Sequence, residues 1–164
     1  MRGILRLRFV FIGRYATFVV MKAFQEKIHD PLPSRSEIMR RVGSKDTTPE
    51  IAVRKALWAA GLRYRLHRAD LPGKPDIVLP SRRIAIFVHG CFWHRHEGCR
   101  RARMPATRQE YWVPKFERNV ARDIANETAL RDLGWDVRIV WECETKPGQL
   151  AEFVQDIISR TKLR

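Results

Sequence analysis

Residues 89–99 read His-Gly-Cys-Phe-Trp-His-Arg-His-Glu-Gly-Cys and bring three imidazoles, two thiols and two large aromatic rings into eleven positions. Cys143 is the last of the three cysteines in the chain. Cys91, His96, Cys99 and Cys143 together offer three sulfurs and one nitrogen, the ligand mix of a closed, tetrahedral structural zinc site. Three cysteines cannot all pair in disulfides, and a chain of this length can bury a core without staples. The alternative is that they are buried free thiols behaving as small apolar side chains. Thiolate ligands must stay reduced until metal binds, so a zinc site also points to a cytosolic compartment. His89 and His94 are left over and need a different chemistry.

Asp76 follows Gly73-Lys74-Pro75 at the start of one predicted strand, and the next strand, Ile84 to Val88, runs directly into His89. Adjacent strand ends therefore converge on a carboxylate and an imidazole. A carboxylate there can hold a hard divalent cation, for which Mg²⁺ with one or two carboxylates, waters and a phosphate oxygen is the usual arrangement. An Asp after a turn also commonly just caps or solvates a strand end. Phosphodiester hydrolysis needs an activated water, neutralisation of charge on the phosphorane and a proton for the departing oxygen. A carboxylate-bound metal with imidazoles nearby supplies all three. Asp123 is a candidate to orient one imidazole and set its tautomer.

These groups need elements to position them. Ser34 or Ser36 can cap a short helix through about Val42, and Thr48-Pro49-Glu50 reads as a helix start, with a capping hydroxyl, a proline in the first turn and an acid at the positive dipole end. Ile51, Val53, Ala56, Leu57 and Ala60 give that helix a core-facing stripe up to Gly61, with Glu50 at its N-terminal lip. Arg63–His67, Asp76–Leu79, Ile84–Val88 and Asp136–Trp141 read as strands, punctuated at Leu71-Pro72-Gly73 and Leu79-Pro80-Ser81. A long helix over Gln109–Leu133, striped by Trp112, Phe116, Val120, Ile124 and Leu130, crosses between the third and fourth strands. A last amphipathic helix over Gln149–Ser159 completes an α/β architecture, a mixed central sheet with helices on both faces.

Composition narrows the partner. The chain has 164 residues, with 32 Lys and Arg against 18 acids, a net charge of +14. That excess implies a polyanion bound in a salt-sensitive way, and nucleic acid suits it best. A membrane surface suits it less, since the basic residues are spread along the chain and no apolar run is long enough to cross a bilayer. Residues 1–25 are apolar and basic but broken by Arg6, Arg8, Gly13 and Arg14, unlike a secretory signal. With Met21 preceding a soluble-looking sequence, this segment is expected to be an extension outside the fold, from a start codon assigned too early. Residues 26–164 are then a single domain.

Ser36-Glu37-Ile38-Met39-Arg40, Asp46-Thr47-Thr48-Pro49-Glu50, Leu71 to Asp76, the 89–99 cluster, Met104-Pro105-Ala106-Thr107-Arg108, Tyr111-Trp112, Lys115, Asn119, Arg122-Asp123 and Gly134-Trp135 to Trp141-Glu142-Cys143 occur in that order. Over about residues 29–145 the chain thereby resembles the very-short-patch-repair (Vsr) mismatch endonucleases, bacterial enzymes that nick DNA at T·G mismatches. The resemblance implies a restriction-endonuclease-like fold and a Mg²⁺ held by Asp76 and the Val88 carbonyl. It makes His89 and Glu50 the groups that arrange the attacking water, and His94, oriented by Asp123, the group that assists the leaving oxygen. Val88 stands where the best-known member has a threonine, a change that spares a carbonyl ligand. Glu97-Gly98 makes the spacing from His96 to Cys99 one residue longer than in some members.

The aromatics have two readings. Phe92, Trp93 and Trp112 could be core residues. The resemblance instead matches them to wedges inserted beside the mismatch, where unstacking costs less because pairing is already weakened. Met39, Lys115 and Asn119 match positions that approach the mismatched or flanking pairs, although a helical Met is ordinarily core. The implied activity is a Mg²⁺-dependent nick 5′ to the thymine of a T·G pair left by deamination of 5-methylcytosine. The implied partners are double-stranded DNA carrying that mismatch, mismatch-repair proteins and a repair DNA polymerase, with a monomer acting in a bacterial cytoplasm. Two rivals stand beside this reading: a non-catalytic, zinc-stapled DNA-binding domain, and an enzyme whose zinc is itself the hydrolytic metal. Four protein ligands leave a zinc no open position, which weighs against the second.

Overall fold

A computed structural model describes residues 45–161. Met39, the short helix expected before Val42 and the N-terminal segment lie outside the described residues. Helix α1 spans Thr48–Ala59, strand β1 Arg65–Leu66, β2 Ile77–Leu79, β3 Ile84–His89, helix α2 Gln109–Asp132, β4 Asp136–Trp141 and helix α3 Pro147–Thr161. The strands form one sheet in the order β1-β2-β3-β4. β1 and β2, and β2 and β3, run antiparallel, while β3 and β4 are parallel, with His89 opposite Trp141. The connection from β3 to β4 carries the Cys/His loop and α2, which a parallel pair needs as a crossover.

Both faces of the sheet are covered, as the alternation of β2 and β3 requires. Ile77, Leu79, Ile84, Ile86 and Val140 pack with Val53 and Leu57 of α1 and with Leu150, Val154 and Ile157 of α3. Val78, Ala85, Phe87 and Val137 face the other way, onto Leu71 and Leu130. Leu57, Ile77, Ile86, Leu130 and Ile157 are entirely buried, and truncating any of them to Ala would cost about 2–5 kcal/mol.

Several boundaries depart from expectation. The cap of α1 is Thr47, one residue before the expected Thr48: its hydroxyl accepts from the Glu50 amide, and the Glu50 carboxylate returns to the Thr47 amide. This reciprocal box needs a hydroxyl three residues before the Glu, which fits Thr47 and leaves Thr48 inside the first turn. Of the expected stripe, Val53 and Leu57 are buried but Ile51 and Ala60 are exposed. In α2, Phe116 and Leu130 are buried while Ile124 is 59% exposed. α2 overhangs the sheet, which contacts its C-terminal end through Leu130, so apolar spacing alone does not give every position a partner. β1, expected over Arg63–His67, is only two residues long, Arg65–Leu66, and pairs with β2 alone among the described residues. α3 begins at Pro147, earlier than the expected Gln149, since proline suits a first turn.

The turn into β2 is tightly seated. Gly73 has φ +70°, and a Cβ there would lie 2.8 Å from the Asn126 side chain of α2. At the far end of α2, the Arg83 guanidinium donates to the carbonyls of Gly134 and Leu133, groups the helix C-terminus leaves without intrahelical partners.

Candidate functional site

Pairing β2 antiparallel to β3 puts the residue that opens β2 beside the residues that end β3. Asp76 Oδ2 accepts a hydrogen bond from the Val88 amide at 2.8 Å. Burial raises the Asp76 carboxyl above the usual carboxylate range, and the charge of Glu50 adds to this against the lowering effect of the Val88 amide. A half-buried acid crowded by a second acid is what a divalent cation would relieve, so the chemistry of this donor set fits a Mg²⁺ beside Asp76.

Glu50 is 3% exposed at the start of α1. Its oxygens take the Asp46 amide at 3.1 Å, the Thr47 hydroxyl at 2.8 Å and Arg54 at 2.8 Å, and Arg54 also pairs with Asp46. The carboxylate that closes the capping box is thus also the one beside Asp76. His67, which sequence reasoning missed, stands between these acids: Nε2 is 4.0 Å from Glu50 Oε2, and Nδ1 is 3.9 Å from Asp76 Oδ1.

His89 ends β3 on the α2 side of the sheet and is 6% exposed. The His94 ring stacks on it, centroids 3.9 Å apart and planes 9° apart. Burial, and then the charge of His94, push His89 down to about 4, which favours the neutral ring. His94 Nδ1 meets Asp123 Oδ2 of α2 at 2.5 Å. A carboxylate on Nδ1 leaves Nε2 as the working nitrogen of that ring.

Cys91, His96, Cys99 and Cys143 present ligand atoms that all lie within 4.8 Å of one another. Cys143 Sγ is 3.3 Å and Cys91 Sγ 3.7 Å from His96 Nδ1. A tetrahedral zinc with ordinary bond lengths separates its ligand atoms by about 3.5–3.8 Å, so the set fits that ion. Burial pushes the Cys91 thiol up to about 12, a cost that metal binding would remove. The His96 ring lies flat on Trp141, centroids 4.2 Å apart, and Trp141 also meets His89 edge-on at 5.3 Å. The Cys/His group and the imidazole pair are therefore built on one aromatic ring.

Phe92, Trp93 and Trp112 are neither core nor free surface. All three are half-buried, in a cluster founded on the buried Phe116. Lys115 Nζ lies 5.2 Å from the Trp93 ring and 5.7 Å from the Trp112 ring, and it donates to the Tyr111 hydroxyl. Asn119 donates to the Trp93 carbonyl at 3.2 Å, which fixes the backbone of the loop carrying that ring.

A profile of the family described as DNA mismatch endonuclease Vsr matches residues 26–101. The chain is similar to the type II nicking enzyme V.XorIIP of Xanthomonas oryzae pv. oryzae, 57% identical over 110 residues that cover 67% of this chain and 80% of the relative. It is 45% identical over 116 residues to DNA mismatch endonuclease Vsr of Escherichia coli, covering 71% and 73%. The type II nicking enzyme V.NmeAIP of Neisseria meningitidis is 45% identical over 112 residues, covering 68% and 79%. Fold, site and relatives define the class as DNA endonuclease. Within that class, the chain belongs to the Vsr family of DNA mismatch endonucleases.

Proposed function

We propose that this protein is a Mg²⁺-dependent mismatch endonuclease that nicks one strand 5′ to the thymine of a T·G pair, leaving a 5′-phosphate and a 3′-hydroxyl. The observation that supports the reading is that a half-buried carboxylate, Asp76 bonded to the Val88 amide at 2.8 Å, and an oriented imidazole, His94 stacked on His89 and tied to Asp123 at 2.5 Å, meet adjacent residues at the end of β3. In this reading Asp76 and the Val88 carbonyl hold the Mg²⁺. When bound, the ion polarises the scissile phosphate and eases deprotonation of the attacking water. Neutral His89 and the buried Glu50 arrange that water, and His94, held by Asp123, delivers a proton toward the leaving oxygen.

Cys91, His96, Cys99 and Cys143 hold a structural zinc that keeps the 89–99 loop rigid, and their four-fold ligation leaves the zinc no hydrolytic position. Phe92, Trp93 and Trp112 wedge beside the mismatch, with Met39, Lys115 and Asn119 near the flanking pairs. The fold is restriction-endonuclease-like, residues 26–164 form the working domain with 1–25 outside it, and a monomer acts in the bacterial cytoplasm. Mismatch-repair proteins and a repair polymerase then process the nick. Among the described residues, no helix is long and apolar enough to cross a membrane.

The test is a nicking assay with Mg²⁺ on duplexes that differ by T·G or C·G at one position in varied flanking sequence. Cleavage of the T·G duplex alone is expected, and equal cleavage of both would reduce the protein to an unspecific nuclease. Asp76→Ala should abolish nicking while duplex binding and zinc content persist; retained nicking would remove Asp76 from the assignment.

A further inference from the structure

His67 has no role in the reading above, yet its imidazole stands between the two carboxylates of the site. Arg54 settles which nitrogen carries the proton. Its guanidinium nitrogen lies 3.2 Å from His67 Nε2, and a guanidinium has donors only, so Nε2 must offer its lone pair. The proton of the neutral ring then sits on Nδ1, which faces Asp76 Oδ1 at 3.9 Å. The other carboxylate oxygen, Oδ2, already accepts from the Val88 amide. Asp76 Oδ2 is thus hydrogen-bonded to the Val88 amide, while Oδ1 has the His67 ring beside it at 3.9 Å, within electrostatic reach but beyond hydrogen-bond length. The same Arg54 nitrogen donates to Glu50 Oε2 at 2.8 Å, so one guanidinium orders both the imidazole and the second acid.

The backbone at His67 is equally constrained. Its amide donates to the Asp76 carbonyl at 3.2 Å, and its φ is +47°. A non-glycine residue keeps a left-handed conformation when its surroundings over-determine it, and such residues gather at functional sites. Asp46, Glu50 and His67 present ligand atoms within 4.8 Å of one another, but the Arg54 guanidinium contacts all three and occupies the place a cation would take. Protonated Nδ1 has no in-plane lone pair to give, and Nε2 lies against a permanent cation.

We propose that His67 is a positioning residue of the nuclease site, whose Nδ1–H, set by Arg54, orients the Asp76 carboxylate for the divalent cation. This deepens the function proposed above and rests on Asp76 being that cation's ligand. The sequence signal is thin: a histidine four residues before Leu71-Pro72-Gly73, just past an edge strand too short to show a pattern.

The test titrates the zinc-loaded full chain with Mn²⁺ as a Mg²⁺ substitute, following the free-ion signal by electron paramagnetic resonance. A parallel assay measures T·G duplex binding with Mn²⁺ and Mg²⁺ both omitted. His67→Ala should weaken Mn²⁺ binding about tenfold, as expected for loss of a group that orients a metal ligand, and leave that duplex binding unchanged. His67→Asn, whose amide nitrogen can stand where Nδ1 stood, should recover most of the affinity; a merely space-filling histidine would not be rescued this way. Equal Mn²⁺ affinity in His67→Ala and parent, or His67→Asn no better than His67→Ala, would overturn the proposal. So would a nitrogen directly bonded to Mn²⁺ in the parent and lost in His67→Ala, which would make the ring a ligand. Asp76→Asn separates the two levels. If it loses Mn²⁺ and His67→Ala does not, only the role of His67 fails; if Asp76→Asn binds like the parent, the metal reading of Asp76 fails too.

Discussion

His94 Nδ1 and Asp123 Oδ2 meet at 2.5 Å across a sequence gap of 29 residues, one on the loop after β3 and the other midway along α2. The carboxylate is 14% exposed and the ring 22% exposed, so the pair is partly shielded from water but open to a phosphate.

Asp123→Asn keeps the shape but removes the charge that orients His94. The single-turnover nicking rate should fall about 100-fold or more, within the range general acid–base groups contribute, with T·G duplex affinity unchanged by gel shift. His94→Ala should cost a similar factor, and the double variant little beyond either single one, because the two act as a unit. Additive losses would mean that Asp123 serves some other group.

Cys143 lies beyond β4, far in sequence from its three companions, so the Cys/His group ties the 89–99 loop to the end of the sheet. Cys143→Ser should lower zinc content from one per chain and destabilise the fold by roughly 3 kcal/mol, which for a chain of this size lowers Tm by about 10 °C. Elemental analysis and calorimetry check this together. Full zinc occupancy in Cys143→Ser would exclude this sulfur as a ligand.

Gly73 is under two constraints at once, a positive φ and contact with Asn126. Gly73→Ala should cost about 2–3 kcal/mol in urea unfolding. Adding Asn126→Ala should recover little of this, because the Asn126 Cβ, which alanine keeps, itself lies 2.8 Å from the new Cβ. A neutral Gly73→Ala would show that the loop before Asp76 shifts freely.

The aromatic cluster should divide by burial. Phe116→Ala empties a buried site and should destabilise the fold by about 3–5 kcal/mol. Trp112→Ala, at the half-buried rim, should leave Tm nearly unchanged and weaken T·G duplex binding by about 1–3 kcal/mol, the scale of one lost base stack. A binding loss confined to Phe116→Ala would return Trp112 to the core.

Local signals marked most of the elements. β4 runs over Asp136–Trp141 as its β-branched pattern requires, and α2 starts at Gln109 and stops before Gly134 as its spacing and terminator imply. The alternation in Ile84–His89 carried both core faces. Where the expectation slipped, a partner lay outside the local window. Ile51 and Ile124 have the right period but are exposed among the described residues, and Thr47 displaced Thr48 because the Glu50 side chain selects the hydroxyl three residues back.

Residue type and spacing alone pointed to Cys91, His96, Cys99 and Cys143 as a candidate metal-ligand set, to Asp76 and His89 at the ends of adjacent strands, and to a polyanion as the partner of a +14 chain. These follow from covalent neighbourhood and strand direction, which sequence carries directly. Only the tertiary structure decided that Trp141 joins His96 to His89 and that Glu50 both caps α1 and faces the site. It likewise decided that His67 enters between Glu50 and Asp76 with its tautomer set by Arg54. Each is a contact across elements, set by β3–β4 register and by how α1 packs on the sheet, and no spacing along the chain encodes which side chains meet there.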